Sequence, residues 1–381
     1  MSAPRTASEE PEKRSRTSAD ARAGGTGSRQ DVPPAAGGPS AVPPATATAP
    51  AGPPAHLEPG GALLLTGLRL APVPDEASPQ GIMFRGAPRA QPGPGMPYTL
   101  ARRELVWADN LNELIERAKR RQWNAATDIP WEAGRRVAPD LEEALADVLT
   151  WMLQQEYAAW YVPAKFVSRI HPAYTEVGLF LSTQVVDEAR HVEACVKRLY
   201  LNGVGLREVS ESTESSIKGL LMQDDFPRTS FLLHVLGEGT FTDLFHLMID
   251  IAPDEATREM MVRSLEDEAR HVAYGVGRLR TQLASQRDPD AVGQQFVEAL
   301  ESRLSFTYEV SGIPLPVQQA LAVLAGGGRS PDAAARGKDR VRAFVEELNR
   351  NRLQRLREAG FSEKVADHIS QLHIRSAGGL M

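Results

Sequence analysis

The hexapeptide DEARHV occurs twice in this 381-residue chain, at residues 187–192 and again at residues 267–272. Each copy contains a Glu-x-x-His pair, Glu188 with His191 and Glu268 with His271. Residues three apart on an α-helix project from the same side, so a carboxylate and an imidazole at this spacing can bind one metal ion. One such pair arises readily by chance, whereas two pairs within identical strings predict two halves of one site.

Both copies lie in long segments where apolar residues recur at three- and four-residue intervals, which is the period of an α-helix. From Leu100 onward this pattern predicts an all-α fold, a bundle with additional helices. Pro163 falls inside the second helix and is expected to kink it. The predicted helices span about residues 100–121, 140–170, 173–202, 228–251, 255–285, 291–309, 317–325, 335–358 and 362–373.

The segment before the helices has a different composition. Residues 1–97 are rich in Pro, Ala and Gly and contain few large apolar side chains. Such a segment buries too little surface to offset the entropy of ordering it, so we expect a disordered leader and linker. The domains are then the leader 1–97, the bundle 98–286 and a C-terminal helical extension 287–381. Met96 precedes the first predicted helix, which suggests a later translation start.

Charge and cysteine content restrict the binding partners and the cellular compartment expected for the protein. The net charge is -6 without a basic block, so nucleic acid is not an expected partner. A single cysteine, Cys195, excludes an intramolecular disulfide and fits a reducing compartment. The longest apolar run near the N-terminus, Ala62–Leu65, is far shorter than the ~20 residues that cross a bilayer. A cytoplasmic protein without membrane contact is expected.

Two further glutamates fit the same site. A dinuclear centre in a four-helix bundle takes an inward Glu from each of two helices and a Glu-x-x-His from each of the other two. Glu156 stands 32 residues before Glu188, and Glu238 stands 30 residues before Glu268. Both lie among apolar residues, where an unpaired charge costs several kcal/mol. Four consecutive helices are therefore predicted to contribute ligands.

With these residues the chain resembles the ferritin-like, ribonucleotide-reductase-like superfamily of di-iron carboxylate proteins, over about residues 140–285. The resemblance implies a ferritin-like four-helix bundle that holds two iron ions, with some carboxylates bridging them. Ligands of mixed oxygen and nitrogen character suit iron or manganese better than zinc, so a Mn/Fe pair stays open. By this resemblance one ion is bound by Glu156, Glu188 and His191, and the other by Glu238, Glu268 and His271.

Within the superfamily, both motifs are similar to those of the hydroxylase subunits of bacterial multicomponent monooxygenases, which read Asp-Glu-x-Arg-His. The similarity implies that Asp187 and Asp267 accept hydrogen bonds from the ligand histidines, crosswise between the two helices. Arg190 and Arg270 would then hold these carboxylates by salt bridges. The alternative is a solvated Asp–Arg pair on each helix.

Two positions distinguish the members of the superfamily. Cys195 stands four residues after the first ligand histidine, where tyrosyl-radical subunits of ribonucleotide reductase have Tyr and the hydroxylases have Cys. Thr242 stands four residues after Glu238, as in the hydroxylases, where a hydroxyl can deliver protons to the centre. Alternatively, Cys195 is a small buried apolar residue and Thr242 an ordinary helix residue.

Five more residues are weaker candidates. Gln184 and His234 lie one turn before Glu188 and Glu238, so each could contact a ligand residue. His234 could also bind metal itself or be a histidine satisfied within the core. Aromatic side chains near the ligands either line a substrate pocket or belong to the plain core. They are Trp160, Phe241 and Phe245.

The function predicted from this site is a di-iron oxygenase or oxidase. It would activate O2 and hydroxylate, desaturate or N-oxygenate a small apolar organic substrate, with electrons from a reductase or ferredoxin. A homodimer is an option. Two alternatives remain: a radical-generating or Mn/Fe oxidase like the small subunit of ribonucleotide reductase, and a ferroxidase that handles iron.

Overall fold

The computed structural model of the protein describes residues 55–68, 70–78, 83–87, 95–96, 98–209, 211–305 and 313–375. Within these residues the fold is all-α, as predicted, and β pairing is limited to isolated bridges such as Glu76–Arg102 and Leu100–Ile170. A π-helical turn, Phe231–Gly237, joins α6 to α7. The helices are α1 Arg103–Val106, α2 Leu111–Arg120, α3 Pro139–Val167, α4 Thr175–Leu201, α5 Glu211–Met222, α6 Phe226–Ser230, α7 Glu238–Ile251, α8 Glu255–Ala284, α9 Pro289–Ser305, α10 Leu315–Gly326, α11 Pro331–Glu358 and α12 Glu363–Arg375.

Four long helices form the bundle that positions the site. Helix α3 packs along α4, α7 packs along α8, and α4 meets α8. Side-chain caps fix the starts of α6, α8 and α11. Asp225 accepts a hydrogen bond from the backbone N–H of Arg228, Asp254 from that of Thr257 and Ser330 from that of Ala333. Such caps satisfy backbone donors that have no partner inside the helix.

The apolar interior is divided into two clusters. One contains the C-terminal half of α3, the N-terminal half of α4, the π turn and the C-terminal half of α8. The other contains the opposite halves of α3, α4 and α8 together with α7. The polar residues of both DEARHV copies lie between the clusters along their helices. The bundle therefore encloses a buried polar layer between two apolar ones.

The remaining helices complete this core. Helix α10 packs on α3 and α11, and α11 also packs on α7. Side chains of α10 and α11 belong to the second apolar cluster, and side chains of α9 and α12 to the first. The predicted C-terminal extension is thus built onto the bundle within the described residues. None of the described helices is long and apolar enough to cross a membrane.

Several helix predictions differ from the structure in detail. The first predicted helix is broken between α1 and α2, and the polar helix α5 was not predicted. Pro163 does lie inside a helix, α3, and the kink expected there stays a prediction. The π turn was also missed, because periodicity does not distinguish one wider turn from regular helix. Residues 306–309, at the end of one predicted helix, lie outside the described residues.

The leader prediction misses tertiary contacts in its described part; residues 1–54 lie outside the described residues. Ala77 is buried in the first apolar cluster. The Arg85 guanidinium forms two hydrogen bonds, of 2.7 and 2.5 Å, with the buried carboxylate of Glu176 on α4. The composition of the segment gave no sign of these contacts because the partners lie about 90 residues further on. A chain that began at Met96 would leave Glu176 without this partner.

Candidate metal centre

Six side chains from four helices converge in the polar layer. Their ligand atoms form two groups, and within each group all atoms lie within 4.8 Å of one another. Glu188 and Glu268 belong to both groups. The first group adds Glu156 and His191, and the second adds Glu238 and His271. The geometry is that of two neighbouring four-ligand positions that share two carboxylates.

The polar atoms of this cluster are buried and largely unsatisfied. Among the described hydrogen bonds, both oxygens of Glu188 and one oxygen each of Glu156, Glu238 and Glu268 have no partner. His271 Nδ1 lies 2.9 Å from Glu188 Oε1, an ion-pair contact that a bound metal ion would replace. Unsatisfied buried carboxylate oxygens are costly and rare, and divalent cations satisfy them. These residues therefore fit two metal ions, and their oxygen and nitrogen donors suit iron or manganese.

In the absence of an ion, the cluster shifts the pKa values of its carboxyl and imidazole groups. Burial raises the pKa of Glu156 and Glu238 well above the ordinary range for a carboxyl group. Burial alone would lower the pKa of His191 and His271, but hydrogen bonds to neighbouring carboxylates outweigh it and raise both pKa values. Those same imidazoles hold the pKa of Glu188 below its usual range, although burial opposes this. Binding of cations must displace these protons.

The two ligand histidines are oriented crosswise by the two aspartates. His191 Nε2 lies 3.2 Å from Asp267 Oδ2, and His271 Nε2 lies 3.3 Å from Asp187 Oδ2. Each aspartate thus serves the histidine of the other DEARHV copy. Because Nε2 donates to a carboxylate, Nδ1 is the ring atom that faces the glutamates, and its lone pair is available to an ion bound among them.

The two arginines join the aspartates into a closed ring of charges. Arg190 pairs with Asp187 and, at 3.0 Å, with Asp267. Arg270 pairs with Asp267 and, at 2.9 Å, with Asp187. All four residues are buried, so the alternative of solvated Asp–Arg pairs does not describe this structure. The repeated string therefore has a structural reason, because each copy supplies half of a nearly twofold arrangement.

Two residues of the site were missed from the sequence. Trp123, in the loop after α2, donates its indole N–H to Asp267 Oδ2 at 2.8 Å and stacks on His191 with 6.3 Å between ring centroids. The Arg190 guanidinium lies 4.9 Å from the Trp123 ring, and it donates to the side-chain oxygen of Gln122 at 2.8 Å. Neither residue belongs to a helical pattern, so no sequence signal marked them.

The two positions that distinguish superfamily members lie close to the ligand helices. Cys195 is buried one turn after His191, and burial, helped by the charge of Glu156, raises the pKa of its thiol. The thiol therefore stays protonated. Thr242 is half-buried, and its hydroxyl donates to the Gly239 carbonyl of its own helix at 2.8 Å.

The weaker candidates divide into polar and aromatic residues. Gln184 donates to Glu238 Oε1 at 2.8 Å, and His234 bonds to Gln184 instead of pointing into the cluster. Phe241 and Phe245 are buried with ring centroids 6.0 Å apart. Trp160 is half-buried and stacks with two tyrosines on the outer side of α3.

Comparison with known proteins supports the fold. No family model matches this sequence, and no curated protein matches it either. Two solved structures of single-substitution variants of an R2-like ligand-binding oxidase, each with an anaerobically reconstituted Mn/Fe cofactor, match at a TM-score of 0.51. They share 17% and 16% identity with this chain, covering 68% and 66% of it and 95% and 94% of their own length.

At this level of identity the likeness establishes the fold. The protein has the ferritin-like helical fold of these oxidases, so the fold predicted from the ligand motifs is confirmed.

Proposed function

We propose that this protein is an O2-dependent oxidoreductase whose two metal ions, two Fe or Mn with Fe, oxidise a small apolar organic substrate. The observation that carries the proposal is the pair of four-ligand positions sharing Glu188 and Glu268, with buried polar atoms that lack other partners. Glu156 and His191 complete one position, and Glu238 and His271 the other. When bound, the ions supply the redox chemistry of O2 reduction.

The surrounding residues of the chain prepare the site for such a reaction. The Asp–Arg ring holds both imidazoles in the orientation that a metal ion needs. The two apolar clusters on either side of the polar layer keep water away from it. In this proposal Phe241 and Phe245 form apolar walls for the substrate, and Cys195 acts as a small protonated neighbour of the ligands. Trp160, on the outer side of α3, is not part of these walls.

Thr242 is our candidate for proton delivery. It follows Glu238 by one helical turn, and it is half-buried where the ligands are fully buried. Its hydroxyl must turn away from the Gly239 carbonyl to take this role. Thr242→Val should lower the rate of substrate oxidation but leave metal content unchanged. Thr240→Val is the matched control, because Thr240 donates to its own helix in the same way.

A Mn/Fe oxidase is the second candidate within the same proposal. It is favoured by the fold match to R2-like ligand-binding oxidases that carry a Mn/Fe cofactor. The ligand set suits both metals. Loading the metal-free protein anaerobically with equal Fe(II) and Mn(II), followed by metal analysis after exposure to O2, distinguishes the two pairs.

We further propose that the protein forms a homodimer and receives electrons from a separate donor protein. Helices α3 and α4 share an outer face without charged residues, which we call the α3–α4 face. Its exposed and half-buried residues are Gln154, Gln155, Tyr157, Trp160, Tyr161, Ala164, Gly178, Leu179, Ser182, Thr183 and Val186. Exposed apolar and aromatic patches of this kind commonly mark protein interfaces. Light scattering should give a dimer mass that Tyr161→Lys with Val186→Lys reduces to a monomer.

The central experiment measures metal content and oxygen use together. Protein loaded anaerobically with Fe(II) should hold two ions per chain and consume O2. Glu188→Gln and Glu268→Gln should each lose ions from both positions, because both glutamates are shared. Glu193→Gln is the matched control, since this α4 residue is exposed and pairs with Lys197 at the surface. Less than one ion per chain in the loaded native protein contradicts the proposal.

A further inference from the structure

A chain of hydrogen bonds runs from the candidate metal centre into the protein behind Glu238. Gln184 Nε2 donates to Glu238 Oε1 at 2.8 Å, and Gln184 Oε1 lies 3.1 Å from His234 Nε2. His234 Nδ1 lies 2.8 Å from Ser230 Oγ, which accepts from Arg278 Nε at 3.0 Å. All of these residues are buried. The chain leads to one ligand carboxylate of the cluster.

The direction of every bond in this chain is determined. An arginine only donates, and the Gln184 amide nitrogen faces a carboxylate, so its oxygen must accept. His234 Nε2 therefore carries the hydrogen, and Nδ1 accepts from the Ser230 hydroxyl. Burial, followed by the charges of His271 and Arg278, lowers the pKa of His234 to about 3, so the ring stays neutral near physiological pH.

The backbone is shaped to hold this chain in place. His234 lies in the π turn, and such turns are rare and occur frequently at functional sites. Gly275 of α8 faces the histidine, and a Cβ at that position would lie only 2.3 Å from His234 Cβ. At the far end, Arg278 donates to the carbonyls of Leu105 and Pro227. Each of these features restricts where Gln184 can place its amide.

Glu156, the other glutamate that belongs to only one ligand group, has no equivalent chain of hydrogen bonds among the described residues. Among the described hydrogen bonds, the only partner of Glu156 is His191 Nδ1, which lies 3.3 Å from Glu156 Oε2 and faces the metal cluster. Glu156 Oε1 has no partner. Glu238 differs, because Oε1 is held by Gln184 and only Oε2 is unpartnered. The two four-ligand positions are therefore unequal.

We propose that the chain Arg278–Ser230–His234–Gln184 positions Glu238 so that it offers a single oxygen to its ion, whereas Glu156 is free to offer two. Gln184 is the positioning residue, and the three residues behind it fix its amide. The ion on the Glu238 side thus has one protein ligand atom fewer and binds more weakly. This inference rests on the proposed dinuclear centre.

Anaerobic titration of the metal-free protein with Mn(II) tests the proposal, with free Mn(II) measured by electron paramagnetic resonance. The native protein should bind two ions with different affinities. Gln184→Leu frees Glu238 Oε1 to serve as a second oxygen, so the affinity of the weaker position should rise, by a factor on the order of 10–100, the usual size of effect for a residue that holds a ligand in place. A fall in the affinity of that position contradicts the positioning role. The tighter position should change by less than threefold.

Two more variants separate positioning from general damage. Ser230→Ala interrupts the chain two bonds further from Glu238, and it should shift the same affinity in the same direction by a smaller factor. Thr183→Val is the matched control, because Thr183 neighbours Gln184 but donates to its own helix at Phe180. Thermal unfolding monitored by circular dichroism establishes that each variant is folded.

The outcomes distinguish this inference from the proposed function. If the native protein binds no Mn(II) or Fe(II), the dinuclear centre itself is wrong. If two ions bind but Gln184→Leu leaves both affinities within threefold of the native values, or weakens both equally, the positioning role is wrong while the centre stands.

Discussion

Binding of metal ions should expel protons from this site. In the metal-free protein the pKa values of Glu156, Glu238, His191 and His271 are all raised above their ordinary ranges. Each of these four groups can hold at most one proton, and two divalent cations must replace the protons that they hold. We expect about two to four protons to be released per two ions bound at pH 7, and the apparent affinity for metal to rise with pH.

The same shifts determine how stability depends on pH. A raised pKa means that the native state binds the proton more tightly than the unfolded chain, so the stabilisation is present at low pH and lost as pH rises through the raised value. Glu188 and Asp267, whose pKa values are lowered, have lost their protons in both states well below pH 6.5. The lowered pKa of His234 opposes the trend only until the unfolded chain loses that proton, by about pH 7.5. For each proton that the native state still holds and the unfolded chain has lost, the free energy of unfolding then falls by about 1.4 kcal/mol per unit rise in pH.

Calorimetry and thermal unfolding measure both effects. Titration of Mn(II) in buffers of different ionisation enthalpy counts the released protons, and Glu156→Gln should reduce the count by one because an amide holds no such proton. Glu193→Gln, an exposed change on the same helix as Glu188, should leave the count unchanged. The melting temperature of the metal-free protein should fall between pH 6.5 and 9, and metal should remove that decline. Release of fewer than two protons, or a melting temperature that rises with pH, refutes the reasoning.

Three further changes test the packing around the site, each by chemical denaturation. Gly275→Ala should lower the free energy of unfolding by about 2 kcal/mol, because the new Cβ meets the Cβ of the π-turn histidine at 2.3 Å. Gly178→Ala is the control: a Cβ there meets nothing within 4 Å, so this change should raise the free energy of unfolding by about 0.5–1 kcal/mol. Equal effects of the two changes would contradict this reasoning. Arg198→Met removes a buried arginine from two carboxylates and should cost about 3–5 kcal/mol, against less than about 1 kcal/mol for the exposed pair broken by Lys218→Met. Trp123→Phe removes an indole N–H from a buried aspartate and should cost about 1–3 kcal/mol, so an unchanged stability would show that this bond is not needed.

The metal-ligand residues show how much of the site can be predicted from residue spacing alone. A Glu-x-x-His pair projects both side chains to one side of a helix whatever the tertiary structure, so the repeated string already placed Glu188 and His191 together. Glu156 and Glu238 could be selected because a carboxylate among apolar residues needs a partner. The structure brings all six side chains together, and the roles of these residues as metal ligands stay predictions until ions are measured.

The sharing of Glu188 and Glu268 between two positions could not be derived from spacing. It depends on how far apart α4 and α8 lie and on their relative rotation, and these follow from packing of both apolar clusters. The crosswise pairing of each aspartate with the other copy's histidine came from the family resemblance, and periodicity offers no reason for it. Trp123 and Gln122 enter the site from a loop, where no periodic pattern exists.

By itself, then, the sequence determined the all-α class, the long helices and the residue types that meet in the polar layer, because helical period and side-chain chemistry are local properties. Only the tertiary structure decided which oxygen of Glu238 is held by Gln184, that His234 turns away from the cluster, and that Arg85 crosses to Glu176. Each of these contacts joins residues at least 50 positions apart. The geometry of such contacts is set by the packing of whole helices, and a one-dimensional pattern carries no record of it.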